Sequence, residues 1–583
     1  MKFPLWFPWP EKSPTKKVGS KILLKFRALR KIAGSGIGFR LNTVLRILGV
    51  STLGFLCLAP FVLLVSGAWQ ADYSVLRTLF SSVMPRYLGN TLLLCAGVLF
   101  SSLAIGVTTA WFTSRYDFPL RKFFTLLLPL SIIISPYMRS LVFMEYANSL
   151  QFTLYPLLER HLGKAALFLN QWWNFPYLVM ALTFSLFPYV YVFASSLYRK
   201  NSGAIIDNAR LLNRNHRSLF FAVGLPIAGP ALRIGAAVVL MDTLNEYGAI
   251  SYFGFPTISS AVFRTWFVYK DIGSAKFLAT LVLLAVIFLV AISQKKDHKT
   301  RYDAQQYYPA GREQLPFLKG LGIGIFCMAQ VFGGLLLPIY HFIRWTTKAG
   351  SPSQLASLSL DTLAFLTVSL SIGILIAVPL SYFCHISYRE ESRSANGRCL
   401  GIFSISKKLY RFVFHSMTMG YAIPSTIVGI AVLGFIYFLV PFYSELPALL
   451  AGKTIAGLVF AAVLRFFFVI AKPMYQGFHH YGRRYEDAAY SLGAKNTFRR
   501  VALPLNAPFV FSGSLLLLIE ILKEIPLTLI LRPFNFNTLA IKAYMLARDE
   551  MLFASALPTL LIIGMGFICI LLFQWIEQKW KPV

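Results

Sequence analysis

The sequence has few acidic residues and few cysteines for its length. Its 583 residues include only 23 Asp and Glu against 56 Lys and Arg, and charged side chains make up only 14% of the chain. That shortage of charge excludes a soluble globular domain of ordinary composition. The six cysteines form no CxxC pair, so we interpret them as small apolar residues and not as a disulfide framework or a metal site. They lie at positions 57, 95, 327, 384, 400 and 569.

A nucleotide-binding loop is also missing from the sequence. The closest match to a phosphate-binding motif is the AGKT segment at 451–454, but the upstream position that requires glycine holds Pro447. This segment also falls in a predicted external loop. The eight histidines, including His479 and His480, show no metal-ligand spacing within one segment. We therefore predict no nucleotide site, no stable metal site and no enzymatic activity in this chain.

Long apolar segments account for most of the sequence. Hydrophobic residues make up 56% of the chain, and the mean hydropathy is +0.62. A run of about 18 or more apolar residues is long enough to cross the ~30 Å hydrocarbon core of a bilayer. We therefore predict an all-α, polytopic integral membrane protein with twelve transmembrane helices. The predicted spans are roughly 45–67, 90–112, 123–145, 175–197, 229–249, 274–293, 318–340, 361–383, 410–438, 455–472, 508–531 and 552–575.

The placement of the basic residues predicts the orientation of the chain. The net charge is +33. With the N-terminus inside, the cytoplasmic segments hold about three-quarters of the loop Lys and Arg, as the positive-inside rule expects. The basic tail at 1–44 favours attraction to membrane lipid over nucleic-acid binding. We expect a multi-pass protein with both termini in the cytoplasm.

Two segments of the chain resemble each other and indicate an internal duplication. DNARLLNRNHRSLFFAVGLP at 207–226 and DAAYSLGAKNTFRRVALP at 487–504 both end in Leu-Pro before a hydrophobic run. An offset of 278 residues pairs Pro226 with Pro504 and keeps the following sequence in register. A period near half the chain indicates two homologous six-helix halves in parallel. The predicted parts are the tail at 1–44, a first membrane domain at 45–293, a linker at 294–317, a second membrane domain at 318–576 and a C-terminal tail at 577–583.

Each repeated segment has side chains suited to docking another protein. Small residues permit close approach, basic residues orient the partner, and a proline begins the next span. One such loop alone would be more typical of a positive-inside connector, but two copies in register favour docking. The first docking segment is represented by Asp207, Asn208, Ala209, Asn213, Leu225 and Pro226. The second is represented by Asp487, Ala488, Ala489, Gly493, Arg499, Arg500, Leu503 and Pro504.

Four carboxylates are predicted at membrane depth. Asp242 and Glu246 are four residues apart, and Glu520 and Glu524 repeat that spacing, which predicts that each pair shares one helical face. Carboxylates inside a membrane are costly and normally face a partner or a wet pathway. One hypothesis is therefore a symmetric acidic lining that attracts a cation, with hard oxygen donors suited to Fe(III). Because tight chelation would defeat transport, we expect weak and transient contact.

A structural role for these acids is an open alternative. They would then lie near the outer ends of spans or pair locally with Lys523 and Arg532. Arg139 and Arg465 also fall inside apolar spans. We expect each of these arginines to pair with a carboxylate or a carbonyl oxygen, in preference to a gating role.

The docking segments resemble a motif of the membrane subunits of bacterial ABC importers. The family pattern is Glu-Ala-Ala-x3-Gly-x9-Ile-x-Leu-Pro. The first copy has Asp, Asn and Ala at 207–209, with Asn213 in the place of the glycine. The second copy has Asp, Ala and Ala at 487–489 followed by Gly493, and it is about two residues shorter than the pattern.

The sequence that flanks the docking segments makes this resemblance more specific. Segments 241–267, 420–430 and 520–540 look like the fused two-domain permeases of ferric-iron ABC importers, and the resemblance extends from about 45 to 576. It implies a permease of the bacterial inner membrane that carries ferric iron delivered by a periplasmic or lipid-anchored binding protein. It also implies two copies of a separate ATPase, each gripping one docking segment. ATP and Mg²⁺ would then belong to the ATPase, and this chain would bind no cofactor.

Other functions stay open at this point. Permeases for thiamine, polyamines and phosphonates share the architecture that the resemblance implies. A secondary transporter driven by an ion gradient is a different class, which predicts transport without an ATPase and leaves the matched docking segments unexplained. A scaffold or channel needs no alternating access, and we rank it last.

Overall fold

The computed structural model describes residues 37–201, 216–293, 312–348, 355–393, 401–439, 455–494 and 496–579. Most of these residues are helical. The strands in these ranges are β1 (Tyr116–Asp117) and β2 (Glu313–Gln314), which pair in parallel with Tyr116 opposite Glu313. This short pairing connects the chain just after the second span to the chain just before the second half.

The helices of the first half alternate between long spans and short connecting elements. They are α1 (Ile37–Gly67), α2 (Tyr73–Thr78), α3 (Met84–Arg115), α4 (Arg121–Leu130), α5 (Pro136–Leu162), α6 (Lys164–Gln171), α7 (Asn174–Asn201), α8 (His216–Leu219), α9 (Leu225–Asn245), α10 (Gly248–Tyr252), α11 (Ile258–Phe267) and α12 (Ile272–Ser293).

The second half follows the same order of long and short helices. Its helices are α13 (Phe317–Val331), α14 (Leu337–Thr346), α15 (Leu355–Arg393), α16 (Gly401–Met419), α17 (Ser425–Leu439), α18 (Ala456–Ser491), α19 (Leu503–Leu522), α20 (Pro526–Leu531), α21 (Leu539–Arg548) and α22 (Leu552–Lys579). Short 3₁₀ turns lie at Ala68–Gln70, Ser131–Ile133 and Gly420–Ala422, and π turns lie at Leu79–Val83, Phe220–Gly224, Phe332–Leu336 and Phe498–Ala502.

The described part of the chain holds ten helical segments long and apolar enough to cross a membrane, or eleven if one bent pair counts as a span. The all-α, polytopic fold class is therefore confirmed, although the expected count of twelve is not reached. The difference falls on the predicted spans at 123–145 and 410–438, because neither forms one continuous helix.

In the first half, the break separates α4 from α5. The helical segments Arg121–Ile133 and Pro136–His161 are bent by 96° relative to each other. Ile134 is extended, with φ −80° and ψ 112°, and the Ser135 hydroxyl accepts a hydrogen bond from the Met138 amide at 3.2 Å. Proline has no N–H to donate, so it suits the first position of a helix and interrupts one that runs through it. Pro136 therefore restarts the helix after the bend.

The second half breaks at the equivalent place, between α16 and α17. Ile423 is extended, with φ −82° and ψ 130°, and Pro424 follows it directly before the first residue of α17. Hydropathy alone did not locate either break, because the residues on both sides remain apolar.

Two equivalent groups of three long helices form the centre of the molecule. Helices α3, α7 and α9 pack on one another, as do α15, α18 and α19. Glycine permits the close approach at both groups. A Cβ on Gly106 of α3 would lie 2.6 Å from the Cβ of Val190 in α7, and one on Gly477 of α18 would lie 2.5 Å from the Phe509 ring of α19. The two groups therefore pack with backbones in close contact.

The first helix of each half packs against the other half. Helix α1 contacts α16 and α17, and a Cβ on Gly54 would lie 2.8 Å from the Val413 side chain. In return, α13 and α14 pack against α4 and α5 of the first half. The halves found in the sequence are therefore intertwined in the structure.

Candidate functional site

The central spans α9 and α19 both end just before a glutamate. Helix α9 ends at Asn245, and Glu246 is extended with φ −71° and ψ 116°. Helix α19 ends at Leu522, two residues before Glu524. The prediction that Glu246 shares a helical face with Asp242, and Glu524 with Glu520, is therefore wrong. The spans predicted at 229–249 and 508–531 end early because the chain turns here into α10 and α20.

Each glutamate caps the short helix that follows it. Glu246 Oε1 accepts a hydrogen bond from the Ala249 amide at 2.9 Å, and Glu524 Oε1 accepts one from the Leu527 amide at 3.0 Å. A carboxylate at a helix N-terminus satisfies an amide that has no partner inside the helix. The duplication has therefore preserved both the break and its cap.

These two turns meet around one small cavity of about 70 Å³. By the same measure one water molecule needs about 10–15 Å³, so the cavity has room for a small ion together with several water molecules. All four predicted acids line it, together with two basic residues. Its polar lining comprises Ser135, Tyr137, Ser185, Tyr189, Asp242, Asn245, Glu246, Arg465, Glu520, Lys523 and Glu524. We call it the acid cavity.

The acids of the second half are paired with basic side chains. Lys523 Nζ lies 3.0 Å from Glu520 Oε1, and the Tyr189 hydroxyl lies 3.4 Å from each of these groups. Arg465 Nε lies 3.9 Å from Glu524 Oε2, and its Nη1 donates to the carbonyl oxygen of Ile423. The predicted local pair with Lys523 and the predicted partners of Arg465 are thus present.

The predicted pairing of an acid with Arg532 is wrong. The Arg532 guanidinium donates to the Asn537 side chain and to Met545 Sδ, at 3.6 Å in the latter case. Because Arg532 follows α20, it lies beyond the short helix that separates it from the acid cavity.

The acids of the first half have a different environment. Within the described ranges, no basic side chain lies within 4.0 Å of the carboxylates of Asp242 or Glu246. The residue equivalent to Lys523 is Asn245, whose side-chain oxygen accepts a hydrogen bond from the Ser425 amide at 2.7 Å. That bond connects the end of α9 to the start of α17. The acid cavity is therefore lined by unpaired acids on one side and by ion pairs on the other.

Arg139 supports the wall of the acid cavity from behind. Its side chain is fully buried and donates to the Ser185 hydroxyl, which lines the cavity. It also donates to the carbonyl oxygens of Ser131 at 2.9 Å and Gly334 at 2.7 Å. Arg139 therefore has carbonyl partners, as expected, and it joins the bend before α5 to the first span of the second half.

The first docking segment is only partly within the described ranges. Asp207, Asn208, Ala209 and Asn213 lie outside them. Leu225 and Pro226 begin α9, directly after the π turn Phe220–Gly224.

The second docking segment is described except for Lys495. Asp487, Ala488 and Ala489 lie in the last turns of the long helix α18, and Ala489 is largely buried. The chain then reverses through Gly493, with φ +75°, and Asn496, with φ +59°. The small residues therefore complete a membrane helix in this copy and do not form a separate docking helix.

Two features of the second docking segment face outward. Arg499 and Arg500 are exposed in the π turn Phe498–Ala502, and Leu503 and Pro504 begin α19. A Cβ added at Gly493 would meet no other atom within 4 Å. A partner could therefore approach the backbone at Gly493 closely.

The π turns within the two docking segments were not predicted from the sequence. They occupy Phe220–Gly224 and Phe498–Ala502, which are separated by the repeat offset of 278 residues. A π turn inside an α-helix is rare and is often found at functional sites. From these turns, α9 and α19 each extend about 30 Å to the acid cavity. One continuous helix in each half, with an internal proline at Pro230 or Pro508, therefore connects a docking segment to the cavity, and we call these two helices the rods.

Tyr137, Tyr189 and Ser135 are cavity residues that sequence reasoning missed. They lie in apolar runs without a motif, and they reach the cavity only because the bend before α5 and the packing of α7 bring them there. Among the described residues, no three His, Cys, Asp or Glu side chains are grouped so as to hold a metal ion. The acid cavity therefore provides charge and hydrogen bonds without a closed metal-binding shell.

The chain is similar to known transport permeases. Residues 396–582 match the family model described as binding-protein-dependent transport system inner membrane component. Over 530 residues, which cover 87% of this chain and 93% of the relative, it is 21% identical to the Fe(3+)-transport system permease protein FbpB 2 of Haemophilus influenzae. Over 268 residues, 44% of this chain and 90% of the relative, it is 23% identical to the sulfate transport system permease protein CysW of Escherichia coli. The candidate spans and these matches indicate a multi-pass inner-membrane protein that is similar to the permeases of binding-protein-dependent transport systems.

Proposed function

We propose that this ABC importer permease carries ferric iron, delivered by an external binding protein and driven by two copies of a separate ATPase. The observation that favours ferric iron as the cargo is the charge of the acid cavity. Four carboxylates line it against two basic side chains, and the two acids of the first half have no basic partner in the described ranges. An excess of carboxylates attracts cations and repels anions such as sulfate.

The size and chemistry of the acid cavity agree with a small hard cation. Carboxylate, hydroxyl and carbonyl oxygens are the ligands that hard cations prefer. A volume of about 70 Å³ suits a single ion better than an extended polyamine or a thiamine molecule. Because no closed shell of ligands is formed, the ion would bind weakly and leave again, as conduction requires.

The docking segments are the proposed route by which the ATPase acts on the pathway. An ATPase shifts the permease between outward-open and inward-open states only through contacts that differ between those states. The two rods, α9 and α19, begin at the docking segments and end at the acid cavity. A small displacement of either docking segment would therefore reach the glutamate caps directly. Both docking segments and both termini would face the cytoplasm.

The decisive experiment is uptake by proteoliposomes that contain the whole transporter and its external binding protein. ATP-dependent accumulation of radioactive Fe(III) is expected. The double variant Asp242→Asn with Glu246→Gln should lower its rate about tenfold or more, which corresponds to about 1.4 kcal/mol or more of transition-state stabilisation. The new glutamine can still cap α10 through its side-chain oxygen.

Glu159→Gln is the matched control, because Glu159 is an exposed acid on α5 outside the acid cavity. It should transport iron at the normal rate. ATP-dependent uptake of sulfate in place of iron would overturn the choice of cargo. Accumulation by this chain alone on an ion gradient would overturn the ABC mechanism itself.

A further inference from the structure

A second polar cavity, of about 680 Å³, lies next to the acid cavity. Four tyrosines line it, namely Tyr137, Tyr247, Tyr252 and Tyr544, and we call it the tyrosine chamber. Tyr137 lines both cavities and therefore forms part of the wall between them. Tyr247, Ser251 and Tyr252 of its lining follow the end of α9, so the chamber lies at the acid-cavity end of α9, away from the docking segments.

The chamber narrows from an exposed rim to a buried floor. Glu550 and Arg548 are exposed at its edge, whereas Tyr137 and Tyr544 retain only 1% and 4% of their accessible surface. The rings of Tyr137 and Tyr544 lie 5.2 Å apart, between the two halves of the molecule. Tyrosines of the membrane-interface belt face lipid headgroups. The two floor tyrosines are shielded from lipid, so belt anchoring does not account for them.

Two hydrogen bonds hold the tyrosine hydroxyls at the floor of the chamber. The Tyr137 hydroxyl donates to the backbone carbonyl of Tyr544 at 3.3 Å, and the Tyr544 hydroxyl lies 3.5 Å from the Ser251 hydroxyl. The Tyr252 ring contacts the Tyr137 ring edge to face, with 6.1 Å between centroids. A phenol is a hard oxygen donor, and phenolate binds trivalent cations well. The chamber therefore gathers several such donors at the entrance to the acid cavity.

The duplication shows that the fold does not need these phenols. At the offset of 278 residues, Tyr247 and Tyr252 correspond to Ile525 and Ile530. Tyr544 corresponds to Phe263, because each lies six residues after the threonine that begins its helix. At each of these three positions, the other copy therefore folds with an apolar side chain. Because both halves contribute tyrosines to this one chamber, packing alone does not account for the hydroxyls.

We infer that the tyrosine chamber is an outer binding site for Fe(III), placed in series before the acid cavity. This inference rests on the proposed function. As the ion binds, phenol oxygens replace part of its previous coordination, and each phenol that becomes a phenolate releases its proton to water. The ion then passes the Tyr137 wall into the acid cavity, where the unpaired carboxylates of Asp242 and Glu246 receive it.

Binding can be tested on the full-length chain purified in detergent, without any transport. Ferric citrate is the probe, because a tyrosinate bound to Fe(III) produces a visible charge-transfer band and tyrosinate ring modes in resonance Raman spectra. We expect this signature in the unaltered chain. The double variant Tyr247→Phe with Tyr544→Phe should weaken binding at least about tenfold, that is, by about 1.4 kcal/mol.

Two control variants test whether the tyrosinate band comes from the tyrosines of the chamber. Tyr410→Phe changes a buried tyrosine of α16 that lines neither cavity, and it should keep the band. Asp242→Asn should also keep the band, although it slows uptake, because the chamber binds before the acid cavity does. If the unaltered chain shows no tyrosinate band, or if the double phenylalanine variant retains it, the chamber is not an iron site.

The outcome for the chamber is separable from the outcome for the cargo. The unaltered chain could lack a tyrosinate band while the double phenylalanine variant takes up iron normally with ATP. That result would rule out the chamber as an iron site and leave the proposed function intact. Failure of the complete, unaltered transporter to accumulate iron would remove the proposed function itself.

Discussion

The two halves of this permease share a backbone plan but differ in the side chains at its centre. Both halves have a π turn near the end of the docking segment, a rod of about 30 Å and a glutamate that caps the next short helix. The second half adds Lys523 and Arg465 beside its acids. The first half has Asn245 in place of Lys523, and its acids have no basic partner among the described residues.

This difference separates what the duplication conserves from what the cargo requires. Two equivalent rods are needed if two identical ATPase subunits act on the two halves together. Under the proposed function a single ion would cross the cavity between the rods at a time, so the cavity itself would not need symmetry. The unpaired acids of the first half and the paired acids of the second therefore suit an attractive side and a release side. Variants at equivalent positions of the two halves can break or sharpen this comparison.

The largest effect on stability is expected from Arg139→Met. Removing the guanidinium leaves the buried carbonyl oxygens of Ser131 and Gly334 without their donor, at a cost of about 1–3 kcal/mol each. We expect a total loss of about 3 kcal/mol or more, measured by denaturant unfolding of the purified protein. Arg465→Met loses one carbonyl bond and a longer ion pair, so it should be destabilised less. The reverse order would contradict this account of the two arginines.

The largest effect on coupling is expected from reversing the charges of Arg499 and Arg500 to glutamate. Both side chains are exposed in the second docking segment, so the protein should insert and fold normally. Iron uptake should fall about tenfold or more while the ATPase continues to hydrolyse ATP. Lys122→Glu, at an exposed site outside the docking segments, is the control. Normal uptake in the double variant would count heavily against the docking role.

A smaller and unequal effect is expected from neutralising the two capping glutamates. Glu524→Gln removes a charge that faces Arg465 at 3.9 Å, whereas Glu246→Gln removes a charge with no basic partner in the described ranges. Both glutamines can still cap their helices. We expect Glu524→Gln to lower the free energy of unfolding by about 1–3 kcal/mol, and Glu246→Gln to lower it by less than about 0.5 kcal/mol. Equal losses of unfolding free energy in the two variants would show that the pairing of Glu524 with Arg465 does not contribute to stability.

The smallest effect is expected at Gly493, where the first docking segment has Asn213. Gly493 has φ +75°, a conformation that costs most side chains about 1–2 kcal/mol. Asparagine tolerates the left-handed region better than alanine does. In thermal unfolding, Gly493→Asn should therefore be more stable than Gly493→Ala. The alanine variant should be about 1 kcal/mol less stable than the original protein. Equal stability of all three would mean that the turn relaxes.

The bulky variant Gly493→Trp tests the surface and not the turn alone. A side chain there meets no atom of this chain within 4 Å, so its bulk would lie where the ATPase should bind. We expect uptake to be lost at a stability close to that of Gly493→Ala. Normal uptake by Gly493→Trp would exclude close approach of a partner at this turn.

Much of the site could be predicted from the sequence because charge inside an apolar span is conspicuous. Asp242, Glu246, Glu520 and Glu524 stood out for that reason, and all four line the acid cavity. The helical pairing of these acids was wrong, because periodicity assumes that a helix continues. Here each rod ends between its two acids, where the chain turns to begin a short helix.

The breaks at Ile134 and Ile423 could not be placed by hydropathy for a related reason. A hydropathy window averages over residues that remain apolar through the bend, and only Pro136 and Pro424, which have no N–H to donate to a continuing helix, mark it. The tyrosines of the chamber could not be predicted from the sequence either. Tyr137 and Tyr544 are 407 residues apart, and no local pattern predicts that their rings meet.

The sequence by itself determined that the chain is an all-α membrane protein of two repeated halves, because apolar length and an offset repeat are local properties of the chain. Only the tertiary structure decided which residues share a cavity. The first helices cross to the opposite half, and the rods of the two halves converge at their ends. Lys523 and Arg465 therefore neutralise the acids of one half and leave those of the other unpaired, since ion pairing depends on distances between segments far apart in the chain.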